Sequence, residues 1–389
     1  MDIFYQPASA DIYSRLLGPP TDVLLSPGEG RARLRSAAAE LYALFSSVTG
    51  VGDDSDHPGD SEETRLAGGK AICPRDAARC VLDYGRTSKF LRGVYAAILE
   101  ARRRFPETTI EILYAGCGPF APLAVPLAGR FTPSEVQFTL LDVNRRSLDA
   151  ARHVFQTFGL AAYVRDYIQC DAAVYRRDAG RAIHIVLAEA MQAALENEPQ
   201  VAITTNLAPQ LCPGGIFIPE TIAVDVCLCD LTKEFTSIPA GDGGGNHSAG
   251  ADRDERRINL GRVLELDAES CRVRSAAGRG GLNRLRDFTL DVPMGAGVGL
   301  NVMLLTAVNV FGPILLGDYE SGITCPRVLH DLGKVREGAR LEFAYRVGES
   351  PGFKYRIYTP GVSRCGGEPS NELIRPTAAP VRLLEDAAL

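Results

Sequence analysis

The chain has 389 residues, more than one typical domain, so two structural units are the first expectation. With 46% hydrophobic and 23% charged residues it has the composition of an ordinary folded chain, which excludes wholly disordered, collagen-like and coiled-coil architectures. The net charge is −6 and no basic run occurs despite 37 arginines against 5 lysines, so nucleic acid is not an expected partner.

In chain order, the N-terminus MDIFYQPASADIYSRLL lacks the basic start and apolar core of a secretory signal. The ten cysteines are scattered, without paired CxxC sets, so a reduced, cytoplasmic protein is expected. Residues 30–45 predict a helix, and the acidic run VGDDSDHPGDSEE over 51–63 predicts a mobile loop that buries little. Together they make residues 1–73 an N-terminal helical extension. From 74 to 104 the pattern is helical, with Val81, Leu82, Phe90, Leu91, Val94 and Ile98 at helix-like spacing. Short apolar runs then alternate with helical segments. Strands are predicted over 110–115, 137–142, 162–170, 182–187 and 216–218, and helices over 120–128, 147–158 and 200–211. This order predicts an α/β fold with a parallel, doubly wound sheet, giving a domain over 74–219.

After residue 220 the helical period disappears. Strand-like runs over 221–229, 263–266, 301–311 and 341–347 predict a β domain, sandwich or barrel, over 220–389, with GDGGGNHSAGADR (241–253) as a flexible insertion. The uncharged stretch 292–317 is long enough to span a bilayer. Its glycines, Pro313, Asn301 and Asn309 instead predict buried strands joined by turns, so no membrane partner is expected.

Tyr114-Ala115-Gly116-Cys117-Gly118-Pro119 follows an apolar strand and opens a helix. Its two glycines allow a sharp turn and close approach of backbone to a ligand, although the third glycine of a dinucleotide fingerprint is missing. Asp142 ends the next strand, where a carboxylate can accept both ribose hydroxyls of an adenosyl ligand. Asp171 ends the strand after that, placed to meet an adenine amine. In this order Gly116, Gly118, Asp142 and Asp171 resemble the class I S-adenosylmethionine-dependent methyltransferases.

After the fourth strand comes Glu189-Ala-Met-Gln-Ala-Ala-Leu-Glu196-Asn-Glu198-Pro199. On an unbroken helix Glu189 and Glu196 would share a face, while Glu189 and Glu198 would lie on opposite sides. Pro199 biases Glu198 away from the helical region, so a bent loop is expected to bring Glu189 and Glu198 together. Two carboxylates aimed at one spot call for a cation between them, and a planar guanidinium suits this. Here the sequence resembles the protein arginine methyltransferase family, whose double-glutamate loop has this position and spacing. Leu82-Asp83-Tyr84-Gly85-Arg86-Thr87 resembles the family's D-x-x-R-T helix, and the likeness extends over roughly 75–389.

The resemblance implies a Rossmann-like S-adenosylmethionine-binding domain followed by a β-barrel-like substrate domain with a helical dimerisation arm, hence a homodimer. It implies that Arg86 pairs with the methionine carboxylate of S-adenosylmethionine, with S-adenosylhomocysteine as product. It makes Glu189 and Glu198 the catalytic pair that holds the guanidinium and directs one nitrogen at the sulfonium methyl. Alignment alone can supply up to ~7–11 kcal/mol of barrier reduction, so no metal is called for. Departures exist: Tyr114 stands where the family has an acid, and Thr324-Cys325-Pro326 is the nearest match to its Thr-His-Trp loop. They suggest a member retooled for free L-arginine, of the kind that begins streptozotocin-type nitrosourea antibiotic biosynthesis. A protein-arginine enzyme, another small-molecule methyltransferase and a non-catalytic cofactor-binding scaffold are the alternatives. His184 reads as a satisfied core residue, and His330, just after the Thr324 segment, as a candidate for the substrate entrance.

Overall fold

The computed structural model describes residues 12–178, 180–236, 256–276, 287–297 and 299–359. The predicted insertion over 241–253 lies outside these residues. Five parallel strands form the first sheet: β3 (Ile110–Ala115), β4 (Val136–Asp142), β5 (Val164–Gln169), β6 (Ile185–Ala188) and β7 (Ile216–Ile218), numbered after a short hairpin of β1 (Thr64–Leu66) and β2 (Gly69–Ala71). The spatial order is β5-β4-β3-β6-β7, so the chain reverses direction across the sheet between β3 and β6. In such sheets ligands bind outside the carboxyl ends of the strands at this switch point. The central strands β3 and β6 are almost wholly buried, which is why they read as continuous apolar runs rather than alternating ones.

Helices α1 (Gly18–Leu25), α2 (Arg31–Thr49), α3 (Pro74–Arg79) and α4 (Tyr84–Arg104) precede the sheet. In α4, Phe90, Leu91, Val94, Ala97, Ile98 and Ala101 are buried at three- and four-residue spacing, and Arg102, Arg103 and Arg104 occupy its last turn, where cations complement the helix dipole. The helix expected over 120–128 shrinks to α5 (Val125–Ala128). Pro122 disfavours helical backbone at the residue before it, and Ala121 sits at φ 42°. α6 (Arg145–Thr157) starts at Asn144, whose side chain accepts from the Arg146 and Ser147 amides, and α7 (Gln200–Leu207) precedes β7.

Most of the acidic run over 51–63 is exposed, as expected, but it is anchored to the fold. Val51 and Asp60 are fully buried, and the Asp60 carboxylate accepts from Ser55 Oγ (2.5 Å) and Arg146 Nε (3.0 Å). A buried carboxylate is tolerated when it is paired in this way, and the pairing anchors the segment to α6.

Beyond residue 220 the chain forms two antiparallel sheets. The first has the order β12-β11-β8-β9, from β8 (Thr221–Cys229), β9 (Ile258–Asp267), β11 (Leu300–Phe311) and β12 (Ile314–Leu316). Short β13 (Arg327–Val328) and β14 (Lys334–Val335) also pair with β11. The second is β10 (Phe288–Asp291), β15 (Arg340–Arg346) and β16 (Gly352–Tyr358) in the order β10-β15-β16. Much of the uncharged stretch is therefore strand, and no helix among the described residues is long and apolar enough to cross a membrane. The helical period does not vanish altogether: α8 (Leu231–Thr236) and α9 (Ala268–Ala276) interrupt this region. The missed signal for α9 is Asp267, whose carboxylate accepts from the Ser270 amide and hydroxyl as a cap. One continuous apolar core joins the two units.

Candidate active site

The turn after β3 carries Gly116 at φ 70° and Gly118 at φ 63°, a left-handed backbone that a side chain would strain. The Gly116 and Cys117 amides donate to Leu141 O of β4 at 2.9 and 3.0 Å. Next to them, Asp142 accepts from the Gly118 amide through Oδ2 (2.9 Å) and from the Asn144 amide through Oδ1 (2.8 Å). Burial pushes its carboxyl up to about 6, against the pull of these backbone donors. Asp171, just past β5, accepts from the Ala173 amide at 2.8 Å.

Asp83 caps α4 by accepting from the Arg86 amide (3.2 Å), and its other oxygen accepts from Ser321 Oγ (2.6 Å) and the Gly322 amide (2.9 Å). The cap places Arg86 in the first turn, where its guanidinium is ion-paired with Glu189. The other oxygen of Glu189, Oε1, is buried without a hydrogen-bond partner, an acceptor with unused capacity.

The double-glutamate segment is not an unbroken helix. Only Ala193–Leu195 forms a single tight turn, and Ala194, Leu195 and Asn197 hold φ of 57°, 55° and 63°. Three non-glycine residues in the left-handed region within four positions need support from outside the segment. The antiparallel unit supplies it. Thr306 Oγ1 of β11 accepts from the Ala194 amide (2.8 Å), Tyr345 OH of β15 donates to Leu195 O (2.6 Å), and Pro351 O accepts from the Asn197 amide (2.9 Å). The bend separates the acids: Glu196 faces Arg327 at 3.2 Å, while Glu198 turns inward, 7% exposed. Burial raises the Glu198 carboxyl, opposed first by the charge of Arg86.

The β1–β2 hairpin closes the remaining side. Lys70 N donates to Asn197 O at 2.7 Å. At Gly69 (φ 144°) a Cβ would lie 2.8 Å from Glu198 C and Pro199 N, so glycine is what lets the hairpin reach the loop.

These elements surround one cleft enclosing about 1040 Å³, open solvent included. All seven residues singled out from sequence line it: Arg86, Gly116, Gly118, Asp142, Asp171, Glu189 and Glu198. Tyr114 also lines it, and burial raises its hydroxyl far above the usual value. Glu196, Thr324 and His330 are not among the lining residues. His330 is exposed on a short turn, which corrects its expected place at the entrance. His184 is a core residue whose Nδ1 accepts from the Glu111 amide at 3.0 Å. Sequence reasoning passed over Lys70, Thr306 and Tyr345. Gly68-Gly69 next to a lysine was the one local signal for the hairpin; the other two are supports visible only once β11 and β15 are folded.

No family model matches the sequence, and no curated protein matches it. Among solved structures, the chain is similar to one described as a Trypanosoma brucei PRMT1 enzyme-prozyme heterotetrameric complex with AdoHcy. The identity is 13%, the match covers 73% of this chain and 93% of that chain, and the TM-score is 0.49.

Proposed function

We propose that the chain is an S-adenosylmethionine-dependent N-methyltransferase acting on the guanidino group of arginine, with free L-arginine as the substrate. The observation that carries this reading is the convergence of Arg86, Gly116, Gly118, Asp142, Asp171, Glu189 and Glu198, spread over more than a hundred residues, on one cleft. The adenosyl group fits the residues present: the Gly116–Gly118 backbone leaves the strand end open, and the half-buried Asp142 carboxylate keeps acceptor capacity beyond its two amide bonds. Asp142 would hold the ribose, Asp171 the adenine amine and Arg86 the methionine carboxylate. When bound, this group supplies an electrophilic methyl on a sulfonium.

The chain's own work is then to make a guanidinium reactive. A guanidinium keeps its proton above pKa ~12 and delocalises its lone pairs, so it attacks poorly unaided. Glu189, through its unpartnered Oε1, and Glu198 would hold two of its nitrogens, with the one beside Glu198 aligned along the line of transfer. With a sulfonium as methyl donor, and a neutral thioether left behind, the attacking nitrogen would give up one proton and the methylated guanidinium would retain the positive charge. Glu198, whose carboxyl is already raised by burial, is suited to accept that proton. Homodimerisation through a helical arm of the region beyond residue 220 belongs to the same reading. Incubation with S-adenosylmethionine and L-arginine, followed by mass spectrometry, tests the reading: the expected product is arginine carrying one added methyl on a terminal nitrogen. Methylation of arginine-containing peptides alone would replace free arginine by protein arginine.

A further inference from the structure

Among the described residues, six ionisable side chains other than thiols and the Tyr114 phenol line the cleft: four acids and two cations, Arg86 and Lys70. Arg86 is committed, ion-paired with Glu189 at the helix start. Lys70 has no such commitment. Its backbone is fixed beside Glu198 by the Lys70 N–H to Asn197 O bond and by the close approach of Gly69, yet among the described residues its ammonium meets only the exposed Glu63, at 2.6 Å. A rim pair of this kind contributes little and is easily exchanged.

Beside a glutamate meant for a guanidinium, a lysine is a liability, because its charge repels the cation the acids attract. The charge of Lys70 also acts to lower the Glu198 carboxyl, so the two groups sense one another across the cleft wall. The liability becomes an asset only if the substrate brings its own anion. Resting on the guanidino reading above, we infer that Lys70 selects substrates with a free carboxylate, exchanging Glu63 for that carboxylate while Glu189 and Glu198 hold the guanidinium. A guanidine lacking the carboxylate, or an arginine within a peptide, would meet the repulsion without the compensating bond.

The test is calorimetric binding of L-arginine and of agmatine, which lacks the carboxylate, to the full chain saturated with S-adenosylhomocysteine. For Lys70→Met, arginine affinity should fall about 10- to 100-fold while agmatine affinity holds or rises. Lys70→Arg should restore most of the arginine affinity. Equal losses for both ligands, or none for arginine, would overturn the assignment. Glu63→Gln provides a second variant at an exposed position: freeing Lys70 should strengthen arginine binding by up to about fivefold and leave agmatine unchanged, and weaker arginine binding would count against the inference. If the wild-type chain binds S-adenosylhomocysteine but neither guanidine, the guanidino reading itself fails and takes this inference with it. If both guanidines bind and Lys70→Met treats them alike, only the role of Lys70 falls.

Discussion

The Asp142 side of the cleft and the Glu198 side are built in contrasting ways. On the Asp142 side, strand ends and the backbone after them form the wall: Gly116 and Gly118 make the turn, and Asp142 is held by amides within a few residues of itself or of that turn. On the Glu198 side, the wall is a loop in unfavourable backbone conformations, held by Thr306, Tyr345 and Pro351 from a different part of the chain. One side is locally determined and self-sufficient. The other exists only while the antiparallel unit is docked, so damage there should reach chemistry before it reaches cofactor binding.

The largest expected effect lies on the loop side. Glu198→Gln and Glu189→Gln keep size and remove charge, and each should lower turnover by ~10²–10⁴-fold while calorimetric affinity for S-adenosylhomocysteine is retained. Glu196→Gln, whose side chain faces Arg327, should leave turnover near the wild-type value. Activity surviving in Glu198→Gln but lost in Glu196→Gln would mean that the bend has been assigned to the wrong acid.

On the Asp142 side, Asp142→Ala should reduce cofactor affinity at least about tenfold, since a charge-assisted hydrogen bond contributes ~1.5–3 kcal/mol. Thr306→Val probes the support rather than the site. It leaves the buried Ala194 amide without its acceptor, at a cost of about 1–3 kcal/mol, and should lower turnover without a matching fall in cofactor affinity. Equal loss of both would show that the two walls are not independent.

The smallest effect is a pH dependence. The folded carboxyl of Asp142 lies at about 6, above its ordinary 3.8, because its charged form is buried. Its protonation therefore favours the fold, and this contribution is fully present below about 3.8 and lost as the pH rises through about 6. If Asp142 holds the ribose in its ionised form, cofactor affinity should move the opposite way, weakening as the pH falls through about 6 and by no more than Asp142→Ala costs. Asp142→Asn should abolish this dependence, and a dependence that persists in the variant belongs to another group.

The same contrast explains what could be read from sequence. Strands β3, β7 and β8 stand at their predicted limits, and β4 within one residue, because burial and the residues that end them are encoded locally. Most of the seven lining residues could be named because they sit at or just past a strand end or a helix cap. Pro199 even gave the bend that sends Glu198 inward. What stayed hidden depends on distant partners. Asp60 looked like part of a solvated acidic run until Arg146, 86 positions away, was placed against it. Thr306 is one polar residue among the buried Val302, Leu304, Val308 and Val310, and nothing in the strand announces that its hydroxyl serves Ala194. Lys70 gains its meaning only from the hairpin's approach to Asn197.

The proposed reaction requires one cleft to hold S-adenosylmethionine and a guanidino group together, with Glu189 and Glu198 gripping the guanidino group. The most direct measurement is mass spectrometry of L-arginine incubated with S-adenosylmethionine and either the wild-type chain or Glu198→Gln. N-methylated arginine with the wild type, absent with a variant that still binds S-adenosylhomocysteine, is the predicted result. A wild-type chain that binds the cofactor yet methylates neither arginine nor any other guanidine, or a Glu198→Gln variant as active as the wild type, would contradict it.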